Sequence, residues 1–171
     1  GVQPEIWSYG HRNPQGLVID HLTNNIWITE HGPQGGDEVN LVLPGRNYGW
    51  PVIGFGVNYR SGQAIHEGTH REGMEQPAFV WVPSIGASGL TLYKGDAFPR
   101  WRGNLFAGGL SGEKISRFTL DGEEVVMDET LVHRMGRIRD VREGLDGYIY
   151  IAIDGNSNEP TQILRLEPAD S

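Results

Sequence analysis

Apolar residues in this chain come in short runs that alternate with polar ones and are cut off by glycine or proline. Residues 16–20, 25–29 and 38–42 form one set of such runs, 89–93, 104–108 and 114–118 a second, and 138–142, 148–152 and 162–166 a third. Ile, Val, Leu, Trp, Tyr and Phe enrich these short runs and glycine and proline punctuate them, the signature of short strands and many turns, so each is predicted to be a strand. No window carries the i, i+3, i+4, i+7 spacing of an amphipathic helix. The predicted fold class is all-β.

The three sets overlay as strand, tight turn, strand, loop, strand. Asp121-Gly122 and Asp146-Gly147 are pairs that tolerate the positive φ of hairpin turns. Repetition of a sheet of about four strands every ~50–60 residues is the pattern of a β-propeller blade. We expect about three four-stranded blades, near residues 5–60, 76–130 and 131–171, in a single partial propeller domain. A β-sandwich whose hairpins resemble one another by accident is the other reading. Three blades do not close a ring, so something is expected to cover the exposed first and last faces.

Composition narrows the chemistry. The chain has 171 residues, enough for one domain with a real core, and a net charge of −8 from 14 basic and 22 acidic residues, a poor match for nucleic acid. It has no cysteine, which removes disulfides, thiolate catalysis and cysteine-held metals. No stretch approaches the ~20 apolar residues of a membrane span, and no signal peptide opens the chain. Gly1 is not a natural initiator, so we expect a processed chain or a fragment.

Three stretches combine polar side chains with glycines and prolines that fix backbone direction: Tyr9-Gly10-His11-Arg12-Asn13-Pro14-Gln15-Gly16, Glu30-His31-Gly32-Pro33-Gln34-Gly35-Gly36-Asp37-Glu38 and Asn47-Tyr48-Gly49-Trp50-Pro51. Arg12 offers a planar fork of donors to a carboxylate, and Asn13 both a donor and an acceptor; the alternative is an arginine that caps a turn or pairs with Glu5 or Asp20. Calcium takes about six to eight hard oxygens, and the second stretch can present backbone carbonyls beside carboxylates; a wide hairpin with solvated acids is the alternative. Asp37 and Glu38 are consecutive, so on a strand they point to opposite faces and do not share one ion. Arg137 and Arg139 fall on one face of a strand and can converge on one anion, although Arg-x-Arg is commonly a solvated face. Trp50 reads as a ring packed under a loop. His11, His21, His66, His70 and His133 lack metal-ligand spacing and read as surface or packing residues.

These stretches, with Tyr59 in Gly56-Val57-Asn58-Tyr59 and Gly136-Arg137-Ile138-Arg139, resemble the glucose/sorbosone dehydrogenases, soluble sugar dehydrogenases that use pyrroloquinoline quinone (PQQ) with calcium. The resemblance implies a six-bladed propeller, with this chain covering its C-terminal half, and a periplasmic or secreted setting. It implies PQQ contacts from Arg12, Asn13, His31, Tyr59, Arg137 and Arg139, a calcium ion held by the carbonyls of Gly32 and Pro33 with Asp37 in support, and a second calcium at Glu38 and Tyr48. Ser111 stands where some members have lysine, which points to the aldose sugar dehydrogenase branch. The histidine that removes the sugar hydroxyl proton belongs to the N-terminal half in this family, so no catalytic residue is expected here and the isolated chain is expected to have little activity. The expected partners are an aldose substrate and either the missing half-propeller or a second copy of the chain. A propeller that binds a protein or ligand without catalysis is the rival reading.

Overall fold

The computed structural model describes residues 3–155 and 160–169. Among them every regular element is a strand apart from one short 3-10 turn, Pro99–Trp101. The chain divides into two compact units, Gly1–Ser84 and Ile85–Ser171.

The first unit is one antiparallel sheet in the order β1 (Pro14–Ile19), β2 (Ile26–Glu30), β3 (Asp37–Val42), β4 (Phe79–Trp81). Trp27 and Ile28 are both almost wholly buried although they point to opposite faces of β2. Covering β2 on both sides fixes its register, because a one-residue slip would exchange two unequal environments. The long connection from β3 to β4 contains no strand, and it is tied back to the chain entry by main-chain bonds from Tyr48 N to Tyr9 O at 2.8 Å and from Trp50 N to Gly10 O at 2.8 Å. Gly10 is required at this crossing: its φ is +78°, and a Cβ there would stand 2.2 Å from Asn47 Oδ1.

The second unit holds two antiparallel sheets: β5 (Ala87–Leu92), β6 (Leu105–Gly109), β7 (Lys114–Asp121) and β8 (Glu124–His133) in sequential order, and β9 (Arg137–Glu143), β10 (Ile149–Asp154) and β11 (Gln162–Leu166) with β10 in the centre. They share one core. Phe106 and Ile115 from the first of these sheets are fully buried with Ile138, Val141 and Ile149 from the other. Close approach is set by small residues, since a Cβ on Gly89 would lie 1.8 Å from Asp140 Oδ1. Ser88 Oγ donates to Ile138 O at 2.7 Å inside this contact.

All nine runs read from the sequence are strands, each displaced by two residues or fewer at its start. The structure adds β4, which pairs with β3, and β8, which pairs with β7 along its length and continues to His133. The third sheet has three strands among the described residues. The β7–β8 hairpin turns through Gly122 and Glu123, with Asp121 opposite Glu124 and the positive φ, +61°, falling on Gly122. Glycine therefore takes the first central position of the turn, the pattern of a two-residue II′ loop.

Tyr93 is a checkable keystone of the second unit: fully buried, its hydroxyl accepts from Phe98 N at 2.9 Å and donates to Gly147 O at 2.7 Å. Tyr93→Phe leaves both groups without their partner and should cost about 1–3 kcal/mol, read from urea unfolding. An unchanged unfolding midpoint would show that neither bond matters to stability.

Candidate functional site

The centre of the first unit is a buried carboxylate. Glu30 ends β2 and is only 4% exposed. Donors surround it: Arg12 N at 2.8 Å and Asn13 N at 3.4 Å reach Oε2, while His11 Nδ1 at 3.1 Å and Asn40 Nδ2 at 3.0 Å reach Oε1. The turn before β1 is thereby fastened to the end of β2. His11, read from the sequence as a surface or packing residue, also stacks on Tyr48 with ring centroids 4.5 Å apart.

The register of the sheet sets a second carboxylate beside the first. Glu38 on β3 pairs directly with Glu30 on β2, and Asn40, two residues along the same face, donates to Glu38 Oε2 at 3.0 Å as well as to Glu30. Asp37 looks elsewhere and accepts the N–H of Gly32 at 3.1 Å. Asn40 Oδ1 is buried with no hydrogen-bond donor. Burial pushes the Glu38 carboxyl up from 4.5 to about 7; the Asn40 bond opposes this, Glu30 adds to it, His11 opposes it and Asp37 adds to it. Two acids with one amide between them form a place where a positive charge is missing.

The glycine loop closes over this pair. Gly32 has no room for a side chain, because a Cβ would lie 2.2 Å from Gly36 O. The fold-back leaves the carbonyls of Gly32 and Pro33 out of the strand ladder, where they meet hydroxyls at long range: Tyr59 Oη donates to Gly32 O at 3.3 Å and Ser84 Oγ to Pro33 O at 3.4 Å. Hydroxyls at such distances are easily exchanged for a stronger partner. Arg12, Glu30, His31, Gly32, Pro33 and Glu38 are among the residues that line a cavity of about 20 Å³. That is room for about one water-sized particle.

Of the other predicted residues of the first unit, Arg12, His31 and Tyr48 line this cavity and Asn13 and Tyr59 do not. Arg12 Nη1 donates to His31 O at 3.1 Å, and its guanidinium carbon stands 5.3 Å from the centre of the Trp50 ring. His31 Nε2 is buried without a partner. Tyr48 lines the cavity with its ring, but its hydroxyl serves β3, accepting from Leu43 N at 2.9 Å and donating to Leu41 O. The side chain of Asn13 is exposed and accepts from Gln15 Nε2 at 2.9 Å. Tyr59 is 65% exposed.

In the second unit Arg137 and Arg139 flank the buried Ile138 on β9 and face Asp154 across the sheet. Arg139 Nη2 lies 2.6 Å from Asp154 Oδ2 and Arg137 Nε lies 3.7 Å from the same oxygen. The Arg139 hydrogen bond leads in holding the Asp154 carboxyl below its ordinary range. The two guanidinium groups share one carboxylate beside a cleft whose lining includes a second acid, Glu113, with Gly136, Arg137, Ile153 and Asp154. Sequence reasoning missed Glu30, Asn40 and Asp154. The first two had a signal, since a polar pair at 38 and 40 shares one face of a strand whose neighbour ends in glutamate.

A family model described as Glucose / Sorbosone dehydrogenase matches residues 1–165. The chain belongs to the glucose/sorbosone dehydrogenase family. Aldose sugar dehydrogenase YliI of Escherichia coli is 44% identical over 171 residues, covering 98% of this chain and 45% of that protein. A crystal structure of a glucose dehydrogenase is 46% identical with a TM-score of 0.90, over 98% of this chain and 48% of its own. The PQQ-bound form of an aldose sugar dehydrogenase from Streptomyces coelicolor is 26% identical with a TM-score of 0.73, over 95% of this chain and 45% of its own. The chain thus spans less than half the length of each of these relatives. No helix among the described residues is long and apolar enough to cross a membrane.

The raised Glu38 carboxyl has a pH signature. Its pKa is higher in the folded chain than the unfolded value of 4.5, so folding binds a proton, and the stability this group contributes is present below 4.5 and lost as pH rises through about 7. Urea midpoints measured with calcium chelated should fall across that window, and Glu38→Gln should flatten the fall. A variant with the same slope as the parent chain would locate the titration elsewhere.

Proposed function

We propose that this chain is the cofactor-holding part of a PQQ- and calcium-dependent aldose sugar dehydrogenase, its three sheets acting as blades of a β-propeller. The observation that carries the reading is the gathering of Arg12, His31, Gly32, Pro33, Glu38 and Tyr48 around one small cavity in a member of the glucose/sorbosone dehydrogenase family.

The residues suit a hard cation. No cluster of three or more His, Asp or Glu side chains poised for a metal occurs among the described residues, so an ion here must draw largely on carbonyls. Two carbonyls held only by distant hydroxyls, at Gly32 and Pro33, meet that need. Asp37 keeps them in place by accepting the Gly32 N–H. A second ion would take Glu38, whose proton it would displace, together with the main-chain oxygen of Tyr48, whose hydroxyl is already committed.

Arg12, Asn13, His31 and Tyr59 are assigned to the cofactor in the first unit, and Arg137 and Arg139 in the second. A tricarboxylate is a fitting guest for two guanidinium groups that stand on one face of β9 and share a single carboxylate partner, Asp154. Once bound, PQQ with calcium supplies the two-electron acceptor for a hydride leaving C1 of an aldose. The chain's own part is to orient the guest, to place the Arg12 charge and to exclude water with Trp50 and the glycine loop. No residue of this chain is assigned the role of base. An aldose substrate and a periplasmic or secreted setting belong to the same reading.

The test is a titration of the chain with PQQ, followed by visible absorbance, with calcium and with a chelator. Saturable binding that needs calcium is expected, and Arg12→Ala should weaken it by about tenfold or more, the loss of one charge-assisted contact. No binding under either condition would discard the quinone reading and leave a propeller module for another partner.

A further inference from the structure

Arg12 is held in an unusual way. Several other arginines have a carboxylate on the guanidinium: Arg139 has Asp154 at 2.6 Å and Arg142 has Asp140 at 2.9 Å, and Arg117 and Arg165, which also stand over the rings of Trp101 and Tyr148, pair with Glu129 and Glu167 as well. A carboxylate is within reach of Arg12 too, yet Glu30 takes its main-chain N–H and not its guanidinium. The side chain instead donates once, to His31 O, and stands 5.3 Å from the centre of the Trp50 ring.

The difference has chemical consequences. A carboxylate partner occupies the in-plane N–H donors and cancels the charge, whereas an indole attracts the cation through its face and leaves the N–H edge free. Trp50 is itself fixed. The edge of His66 meets it with ring centroids 5.3 Å apart at 73°, and His66 Nδ1 is anchored to Pro51 O at 2.9 Å. His66 in turn fills the space that a side chain on Gly54 would need, since a Cβ there would lie 2.5 Å from His66 Nε2. The sequence reads Trp50 as a ring packed under a loop and His66 as a surface or packing residue.

We infer that Trp50, braced by His66, is a positioning residue that holds the Arg12 guanidinium without a carboxylate partner and with its donors, apart from the one given to His31 O, unspent for an anionic or quinone oxygen. This rests on the proposed role of Arg12 in cofactor binding. The ring touches the arginine, and the arginine touches the guest. Aromatic character at position 50 should therefore matter more than bulk: Trp50→Phe keeps a π face, while Trp50→Leu keeps an apolar filler and loses it.

Two measurements on the whole chain test this. In the PQQ titration with calcium, Trp50→Leu should weaken binding by about tenfold while Trp50→Phe stays within about threefold of the parent chain. Equal affinity for the parent chain and both variants overturns the inference while leaving the quinone reading intact; no binding by the parent chain removes the reading and the inference with it. The second readout needs no cofactor. The Arg12 side-chain protons should show an upfield ring-current shift by NMR that Trp50→Leu abolishes, and ordinary Arg12 shifts in the parent chain would overturn the inference whatever the titration shows.

Discussion

Burying a carboxylate is costly unless donors surround it, and the first unit is organised by how that cost is met at Glu30. The donors are the main chain of residues 12 and 13, the ring of His11 and the amide of Asn40. Each ties down something the site needs. The main-chain bonds set the direction from which Arg12 leaves its turn, His11 carries Tyr48 on its ring, and Asn40 links Glu30 to Glu38 across β2 and β3. What the sheet leaves over is a second acid without its own cation, under a loop whose carbonyls are weakly engaged.

Charge is distributed differently in the second unit. There Arg137 and Arg139 share the Asp154 carboxylate, which fixes the direction of both guanidinium groups. Arg12 meets a π face instead. A carboxylate counter-ion stores arginines in place at the expense of donors, and an aromatic platform keeps donors free. Both devices occur in a chain whose net charge is −8, so the positive character is local and placed rather than general.

Nine strands could be read because each is a short run rich in β-branched, aromatic or other apolar residues and set off by turn residues, which holds whether one face or both are covered. β8 escaped because it is an outer strand rich in exposed acids, including Glu124, Asp128 and Glu129, where burial does not discipline the pattern. β4 escaped because three residues, Phe79–Trp81, are too few to show a period and stand far along the chain from β3. The tight fold-back of the glycine loop was legible because glycine and proline report backbone geometry directly. Glu30 and Asn40 were missed although residues 38 and 40 share a strand face, because their importance lies in which residues the register sets opposite them. Trp50 does pack as expected, against His66; its second face, toward Arg12, depends on a crossing of two distant segments that no local pattern encodes.

In the proposed function the Gly32 and Pro33 carbonyls and the Arg12 guanidinium face a common guest. A crystal structure of the chain grown with calcium and PQQ tests it most directly. The account predicts an ion within about 2.3–2.6 Å of both carbonyl oxygens, with the Tyr59 and Ser84 hydroxyls displaced from them and a quinone oxygen against Arg12. Carbonyls still held by those hydroxyls, with the ion or the quinone bound on another surface, would contradict it.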